Sequence, residues 1–519
     1  MRSRTTKFET VRVSLQDMAG RAYVEAVCRA RGGLTGEAEK SLRAIAAQKV
    51  DFYPQALQRR LVELLPRVGT VCAKGLSASA AGATTRKFRE ASHLEAAPLA
   101  GLGFYRVGED GRLFLIAKSE HYHTPLGHSF PGYGLVEQAR RLGIPNATHN
   151  NTRGHITRLL EEELVRTAGG FRRGDRAAMK RTLASANPAA LNRVLNLETG
   201  SLAVEAAIKM LLSRFYRHQD DSPAPAYQGR KPVLLVMADD TGGPTANYHG
   251  TTIITQAMRG LWPELAAGLE KRGLLLVRAV RPNVPAELEA ALRRYDTPPY
   301  KVAGFVHELV LMNYGGRRLS EPYIRRAYAL CRRHDVPTVV DEIQTGLWSP
   351  QLFAFREYGL RPTFVAVGKG FPGGEYPASR LLFSATMDCL PQFGALVTNG
   401  QEELASLSYL VTMRWAEANA AVTAEVGEYF QERLHDLAEE CPQQIDGIDG
   451  SRHLGAIRFR ALEPAKAFAR RLNAAGLDIS VQTYKSDCLP TTLTKLPLIA
   501  GYEVVDVIMA KMRAALAVG

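Results

Sequence analysis

Two side chains that could do chemistry follow apolar, strand-like runs in the second half of the sequence. Asp341 comes at the end of PTVVDEI, and a charge at the end of a core strand requires a positive partner. Lys369 follows TFVAVG and precedes the glycine-rich turn GFPGG. Burial disfavours an ammonium ion, so a lysine at this place becomes a better nucleophile toward carbonyl groups. The alternative is a lysine that reaches the solvent at the end of its strand, as most lysines do.

Pyridoxal 5'-phosphate is an aldehyde cofactor that would use both of these groups. Lys369 would hold its aldehyde as a Schiff base, and Asp341 would pair with the pyridinium nitrogen so that the ring stays an electron sink. Gln344, three residues beyond Asp341, could donate a hydrogen bond to the phenolic oxygen of the cofactor. The sequence therefore predicts Lys369 and Asp341 as catalytic residues.

The phosphate and the ring face of this cofactor need further partners. A phosphate binds to backbone N–H groups at the start of a helix, and Gly200 and Ser201 directly precede the helical run LAVEAAIKMLLSRFY. The ring needs a flat neighbour, and Tyr248 in ANYHGTT can stack on it. We therefore predict that these three residues bind the cofactor.

The elements around these residues alternate between strand and helix patterns. Strands are predicted over Pro232–Asp240, Leu274–Val280, Val302–Leu311, Pro337–Ile343 and Thr363–Lys369, and helices over Leu202–Tyr216, Val284–Tyr295 and Glu321–His334. This alternation predicts an α/β fold with a mostly parallel sheet that helices cover on both faces. Ligands of such sheets bind beyond the carboxyl ends of the strands, where Asp341 and Lys369 stand.

Changes in composition divide the chain into four parts. Residues 1–94 form a basic, mainly helical N-terminal extension that carries +9 of the net charge of +14, and GLSASAAGATT near its end predicts a linker. We assign residues 95–154 to the first part of a small domain, 155–400 to a large cofactor-binding domain, and 401–519 to the rest of an α+β small domain. The excess charge indicates a solvated basic surface, a nucleic-acid contact or attraction of an anionic substrate.

Six fragments in a fixed order resemble class-III aminotransferases, which are pyridoxal-phosphate enzymes of fold type I. The fragments are TGSLAVEAAIK, NYHGTT, FVHELV, VVDEIQTG, VGKGFPGG and VTNGQEELASL, and the resemblance runs from about residue 101 to the C-terminus. It implies an aminotransferase in which Lys369 also carries the proton of the substrate Cα. It further implies that His249 binds the cofactor beside Tyr248.

The resemblance also bears on the substrate and on the assembly. Thr398 in VTNG matches a threonine that reaches the phosphate of the neighbouring subunit, which implies a homodimer with shared active sites. Glu308 in VHELV matches a glutamate near the substrate, although a structural, ion-paired acid is an alternative. A small amine or amino acid is the implied substrate.

Several residues depart from the family pattern. LWSP follows VVDEIQTG, which makes Trp348 a candidate substrate residue, and Lys495 stands where an arginine usually binds the substrate carboxylate. Glu198 is an acid beside the predicted phosphate site, where it would repel the phosphate unless it points away or has a basic partner. These departures leave open a pyridoxal-phosphate racemase, an aminomutase, or a side-chain replacement or carbon–carbon bond-forming enzyme that acts on an anionic or nucleotide-like substrate.

The sequence argues against several other classes of protein. No apolar run approaches the roughly 20 residues that span a bilayer, and the N-terminus lacks the apolar core of a secretory signal. Six dispersed cysteines without a CxxC pair indicate reduced thiols in a cytoplasmic protein. Residues 1–94 lack helix-turn-helix spacing, so we do not expect nucleic-acid binding. The histidines of HYHTPLGHSFP have no carboxylate or cysteine cluster beside them, so we expect a loop near the active site and no metal.

Overall fold

A seven-stranded sheet lies at the centre of the computed structural model, which describes residues 6–147, 149, 151–239, 248–482 and 488–517. Every pair of neighbouring strands is parallel except at one strand, which is antiparallel to both of its neighbours. In spatial order the strands are Arg193–Leu197, Ser379–Phe383 (the antiparallel one), Phe364–Val367, Thr338–Asp341, Tyr300–His307, Lys231–Met237 and Leu276–Val280. The predicted α/β architecture is therefore confirmed; Asp240, at the end of one predicted strand, lies outside the described residues.

The central strands are apolar throughout because both faces of the sheet are buried. Val339 packs into a cluster with the helix Gly200–Leu212 on one face, whereas its neighbour Val340 packs into the main core on the other face. A continuous apolar run is the expected pattern for such strands. The other helices of this domain are His155–Gly169, Arg176–Leu183, Ile253–Met258, Pro263–Lys271, Pro285–Tyr295, Glu321–Arg333 and Ala354–Glu357.

Two antiparallel sheets flank the large domain. The first contains Pro98–Leu102, Tyr105–Gly108 and Leu113–Leu115, with a turn at Asp110 and Gly111 between the last two strands. The second contains, in spatial order, Ile445–Ser451, Leu454–Phe459, Thr491–Lys495 and Ser480–Gln482, and helices Gly134–Arg141, Leu462–Ala474 and Tyr502–Ala517 belong to the same region. A parallel bridge between Leu115 and Leu477 joins the two sheets, so distant parts of the chain meet here.

The helical stretch after residue 402 consists of two helices, Glu403–Ala418 and Ala420–Glu440, which are separated at Asn419. The Asn419 side chain accepts a hydrogen bond from the Glu9 amide at 2.7 Å and donates one to the Glu9 carbonyl at 3.4 Å. Asparagine competes for backbone groups in this way and interrupts helices. The described part of the chain contains no helix that is long and apolar enough to cross a membrane.

The N-terminal extension packs against the rest of the molecule. Phe8 lies 5.6 Å from Trp415 between ring centroids, and Tyr23 stacks on His155 at 4.4 Å. Residues 75–85 form no helix or strand and most of them are exposed, in agreement with the predicted linker pattern. The short strands Arg12–Val13 and Val50–Asp51 pair, and the helices are Leu15–Ala19, Arg21–Thr35, Glu39–Ala47, Gln55–Glu63 and Arg86–Glu90.

Candidate active site

Three neighbouring strands of the large sheet end at one cavity. Glu308 follows Tyr300–His307, Asp341 ends Thr338–Asp341, and Lys369 follows Phe364–Val367. All three side chains line a cavity of about 630 Å³. Five more predicted residues line the same cavity, namely Gly200, Ser201, Tyr248, His249 and Gln344. The parallel sheet therefore brings the predicted catalytic amine and carboxylate together.

Asp341 is a buried carboxylate with two hydrogen-bond donors. The Tyr248 hydroxyl donates to Oδ2 at 2.5 Å, and the Ile343 amide donates to Oδ1 at 2.9 Å. Burial raises the pKa of Asp341, while these two hydrogen bonds and the charge of Lys369 oppose the rise. Neither donor carries a charge, so a cationic group against Asp341 would stabilise its ionised form.

Lys369 is half-buried in the cavity wall and has a left-handed backbone with a φ of 41°. Positive φ values are uncommon for long side chains and often mark functional sites. Burial lowers the pKa of Lys369, whereas the charges of Asp341 and Glu308 raise it. The lowered pKa increases the fraction of neutral amine, which is the form that reacts with an aldehyde.

Gln344 and Glu308 form a second polar pair in the cavity. Gln344 Nε2 donates to Glu308 Oε1 at 3.4 Å, and burial raises the pKa of Glu308 well above its usual value. Gln344 Oε1 is buried and has no hydrogen-bond partner among the described residues. A buried polar atom without a partner is costly, so a polar ligand group at this place would stabilise the site.

The start of the helix Gly200–Leu212 forms part of the cavity wall. Thr199 caps the helix by accepting a hydrogen bond from the Leu202 amide, and the Thr251 hydroxyl donates to Ser201 Oγ at 3.0 Å. A Cβ on Gly200 would lie 2.8 Å from Ile343 Cγ1, so the close approach requires glycine. Helix N–H groups and hydroxyls of this kind bind phosphate. Glu198 also lines the cavity, and the repulsion expected from the sequence stays a prediction.

Three of the predicted site residues are not among the described residues that line the cavity. Thr398 is exposed on a loop, whereas Trp348 and Lys495 are buried. The Trp348 indole donates to the Leu496 carbonyl at 2.9 Å, and Lys495 Nζ lies 3.7 Å from the centroid of a Trp348 ring. Their side chains therefore contact each other behind the cavity.

The cavity also contains residues that the sequence did not single out. Arg259 and Asn313 line it, and only their spatial position shows this. His121 and His123 line it as well, in agreement with the expectation that the histidine-rich loop lies near the active site. The pattern HYH was the only indication of these residues in the sequence.

The histidine-rich loop begins with a left-handed turn of four residues. Ser119, Glu120, His121 and Tyr122 have φ values of 46°, 49°, 55° and 77°. The Ser119 hydroxyl donates to the Lys495 carbonyl at 2.6 Å, and Glu120 accepts hydrogen bonds from Arg106 and His128. Such conformations are costly for residues other than glycine, so these tertiary contacts must hold the turn.

The groups of the cavity fit pyridoxal phosphate. An amine with a lowered pKa can hold the aldehyde, and a buried carboxylate that forms no ion pair with a described residue can hold the pyridinium nitrogen. The Gln344 amide oxygen, which has no hydrogen-bond partner among the described residues, marks a place for a polar group, and the helix start offers N–H groups to a phosphate. The fit rests on groups that converge from two strand ends and one helix start.

Comparisons with known proteins identify the protein family to which the chain belongs. The family model described as Aminotransferase class-III matches residues 155–514, and the chain belongs to this family. Class-III aminotransferases use pyridoxal phosphate, so the predicted family, enzyme class and cofactor are confirmed.

Individual relatives and structures are more distant. The chain is similar to an ornithine aminotransferase of Bordetella pertussis, with 26% identity over 80% of this chain and 90% of that protein. It is also similar to an adenosylmethionine-8-amino-7-oxononanoate aminotransferase of Mycobacterium leprae, with 26% identity over 56% of this chain and 65% of that protein. The ornithine aminotransferase structure from Toxoplasma gondii superimposes with a TM-score of 0.62 at 20% identity, covering 81% of this chain and 90% of that one. This structural likeness supports the fold.

Proposed function

We propose that this class-III aminotransferase moves the amino group of an amine or amino acid to a keto acid, with Lys369 and Asp341 as catalytic residues. The observation that carries the proposal is the position of the two groups at the ends of adjacent strands, in one cavity with a helix start. A buried carboxylate with a raised pKa beside an amine with a lowered pKa is typical of an active site.

Each residue has a distinct task in this proposal. Pyridoxal phosphate, when bound, supplies an electron sink for the pair of electrons left when the substrate Cα loses its proton. Asp341 would hold the pyridine nitrogen, and Gln344 would donate through Nε2 to the ring oxygen. Lys369 would hold the cofactor through Nζ until the substrate amine displaces it, and its neutral amine would then accept the Cα proton.

The remaining cofactor contacts come from the cavity walls. Gly200 and Ser201 offer backbone N–H groups to the phosphate at the start of their helix. The Tyr248 ring is buried beside Asp341 and can cover one face of the cofactor ring, with His249 next to it in the wall. These contacts orient the cofactor and exclude water from its reacting side.

Amino transfer can be tested directly with isotopes. Purified enzyme with pyridoxal phosphate receives ¹⁵N-labelled ornithine, acetylornithine or putrescine, the donors in the names of its relatives, together with 2-oxoglutarate or pyruvate. We expect the label in the amino acid formed from the keto acid, as measured by mass spectrometry. Deuterium uptake from solvent at the donor Cα, with all ¹⁵N retained in the donor, would instead support a racemase.

Arg259 places a positive charge in the cavity wall, which favours an amino donor that carries an anionic group at its far end. Its half-buried side chain lines the cavity together with His121 and His123. We predict that Arg259→Met raises KM about tenfold or more for donors with a distal carboxylate, because a charge-assisted hydrogen bond is lost. The KM of an alkylamine that has no carboxylate should stay constant. Arg272→Met, which removes an exposed arginine nearby, is the matched control; equal KM changes for both donor types would contradict the assignment.

We infer a homodimer from the surface beside the cavity. Ile253, Leu261 and Trp262 are 56%, 45% and 53% exposed on the segment that carries Arg259, and exposed apolar groups of this size mark association surfaces. Thr398 is exposed as well, which a contact with the partner's phosphate requires.

A charge at this surface should disrupt the dimer. We predict that the wild type sediments at twice its chain mass of 56.9 kDa and that Trp262→Asp sediments as a monomer. The monomer should also retain cofactor less well if the sites are shared. Phe88→Asp, at a residue that is 72% exposed on the N-terminal extension, should remain dimeric. An active wild-type monomer would exclude shared sites.

A further inference from the structure

Lys495 is a fully buried lysine directly behind the cofactor cavity, with 0% of its surface exposed. Its ammonium donates a hydrogen bond to the Gln344 carbonyl oxygen. Nζ also lies 3.7 Å from the centroid of a Trp348 ring and 4.5 Å from that of Tyr122. No carboxylate of a described residue pairs with it. Two aromatic faces and one carbonyl therefore stabilise its charge, which is an unusual environment for a lysine.

Tyr122 connects Lys495 to Lys369. The Tyr122 ring centroid lies 5.2 Å from Lys369 Nζ and 4.5 Å from Lys495 Nζ, so both amines face one aromatic ring. Burial lowers the pKa of Lys495 well below its usual value, and repulsion by Lys369 lowers it further. Two amines this close, of which Lys495 is fully buried and Lys369 is half-buried, cannot both hold a proton without a cost.

Few other ionisable groups among the described residues act on the two amines. The charges of Asp341 and Glu308 raise the pKa of Lys369, and the charge of Lys118 lowers it. Desolvation and the charges of both lysines lower the pKa of His121 and His123. Acids therefore face Lys369, and no acid faces Lys495 among the described residues. The contacts of Lys495 with the two aromatic rings and with the Gln344 carbonyl favour its protonated form against the cost of burial.

Lys495 and Trp348 both depart from the family pattern, and in the structure they are in contact. Trp348 packs in turn against Gly370, where an added Cβ would lie 2.6 Å from an atom of the indole ring. Gly370 directly follows Lys369 in the chain. Lys495 and Trp348 therefore form one contacting pair. Lys495 contacts the backbone of Gln344, and Trp348 contacts Gly370 beside Lys369.

We propose that Lys495 is a positioning residue of the cofactor site, whose buried ammonium fixes the backbone of Gln344 and repels positive charge on Lys369. It takes this role in place of the substrate-carboxylate contact that the sequence suggested, because Tyr122 and Trp348 cover it. The proposal rests on the proposed role of Lys369 as the lysine that holds the cofactor.

Three substitutions separate the charge of Lys495 from its hydrogen bond. Lys495→Met removes both, Lys495→Gln can keep a donor to the Gln344 carbonyl, and Lys495→Arg keeps the charge. The readout is the absorbance of the bound cofactor between pH 5 and 10, which gives the pKa of the lysine nitrogen that holds it, together with the cofactor dissociation constant.

We expect the Met and Gln variants to raise this pKa by about one, since a positive charge under 10 Å away disfavours a second one. The Arg variant should keep the wild-type pKa, and only the Met variant should bind cofactor about tenfold more weakly. If a folded Met or Gln variant keeps the wild-type pKa of the lysine nitrogen, Lys495 does not act on Lys369 through its charge. If the Met variant binds cofactor as tightly as the wild type, Lys495 does not position the backbone of Gln344. If the Met variant does not fold, the Gln and Arg variants decide the charge role.

A parallel measurement keeps the two proposals distinct. Lys369→Ala must lose the absorbance of lysine-bound cofactor; if it keeps that absorbance, the proposed function is wrong about Lys369. If Lys369→Ala loses the absorbance and the pKa is the same in all Lys495 variants, only the inference about Lys495 is wrong.

Discussion

Replacing Lys369 with alanine is expected to reduce the rate of amino transfer by about 10⁴-fold. The variant loses both the amine that holds the cofactor and the base that accepts the Cα proton. Its visible spectrum should therefore be that of free aldehyde, while the cavity can still bind cofactor through the helix start at Gly200. Rates of ¹⁵N transfer and the absorbance spectrum measure the two losses separately.

Two controls make this result specific. Lys118→Met removes another half-buried lysine close to the site, whose Nζ donates to Ser480 Oγ, and should keep most of the activity. Added methylamine should partly restore proton transfer in Lys369→Ala, because a small amine can occupy the space of the missing side chain. Full activity of Lys369→Ala without added amine would exclude Lys369 as the base.

The second large effect is expected for Asp341→Asn, which should slow amino transfer by about 10³-fold. A neutral amide cannot stabilise a positive charge on the pyridine nitrogen, so the electron sink is weakened. The fold should tolerate the change. The amide oxygen can accept from the Ile343 N–H and the amide nitrogen can donate to the Tyr248 oxygen, so both present partners stay satisfied.

Stability separates this electrostatic effect from damage to the fold. Because burial raises the pKa of Asp341 in the folded protein, its ionised form opposes folding above the pKa of the unfolded chain. The cofactor-free Asn variant should therefore be at least as stable to denaturant at pH 7 as the wild type. Asp449→Asn, at a half-buried carboxyl of the small sheet whose pKa burial also raises, should keep wild-type activity. Equal activity losses in both variants would contradict the role of Asp341.

The sequence predicts the centre of this site because local rules place it. Asp341 and Lys369 each follow a short apolar strand, and parallel strands end at the same edge of the sheet. Gly200 is predictable for a similar reason, since a helix start is visible in the sequence. The fixed order of the family fragments then indicates that these residues belong to one site, although the sequence does not give the distances between them.

Other parts of the site depend on contacts that no local pattern encodes. The break at Asn419 arises from its pairing with Glu9, 410 positions away. Lys495 has an ionisable side chain but lies against aromatic rings. Its contacts with Tyr122 and Trp348 explain why it is buried, and the sequence around it does not show them. Arg259 lines the cavity because the segment that carries it lies against the start of the helix Gly200–Leu212, where Thr251 donates to Ser201. Interactions of this kind follow from packing across the whole chain.

The left-handed turn at Ser119–Tyr122 has a consequence for how the protein is made. The ribosome completes this turn early, but its contact with Lys495 spans 376 positions, and the contact between Arg106 and Asp478 spans 372. Until Asp478 and Lys495 emerge, the costly turn has only its contacts with Arg106 and His128. The large sheet can begin to fold during synthesis, whereas we expect the catalytic pocket to mature only after Asp478 and Lys495 have left the ribosome.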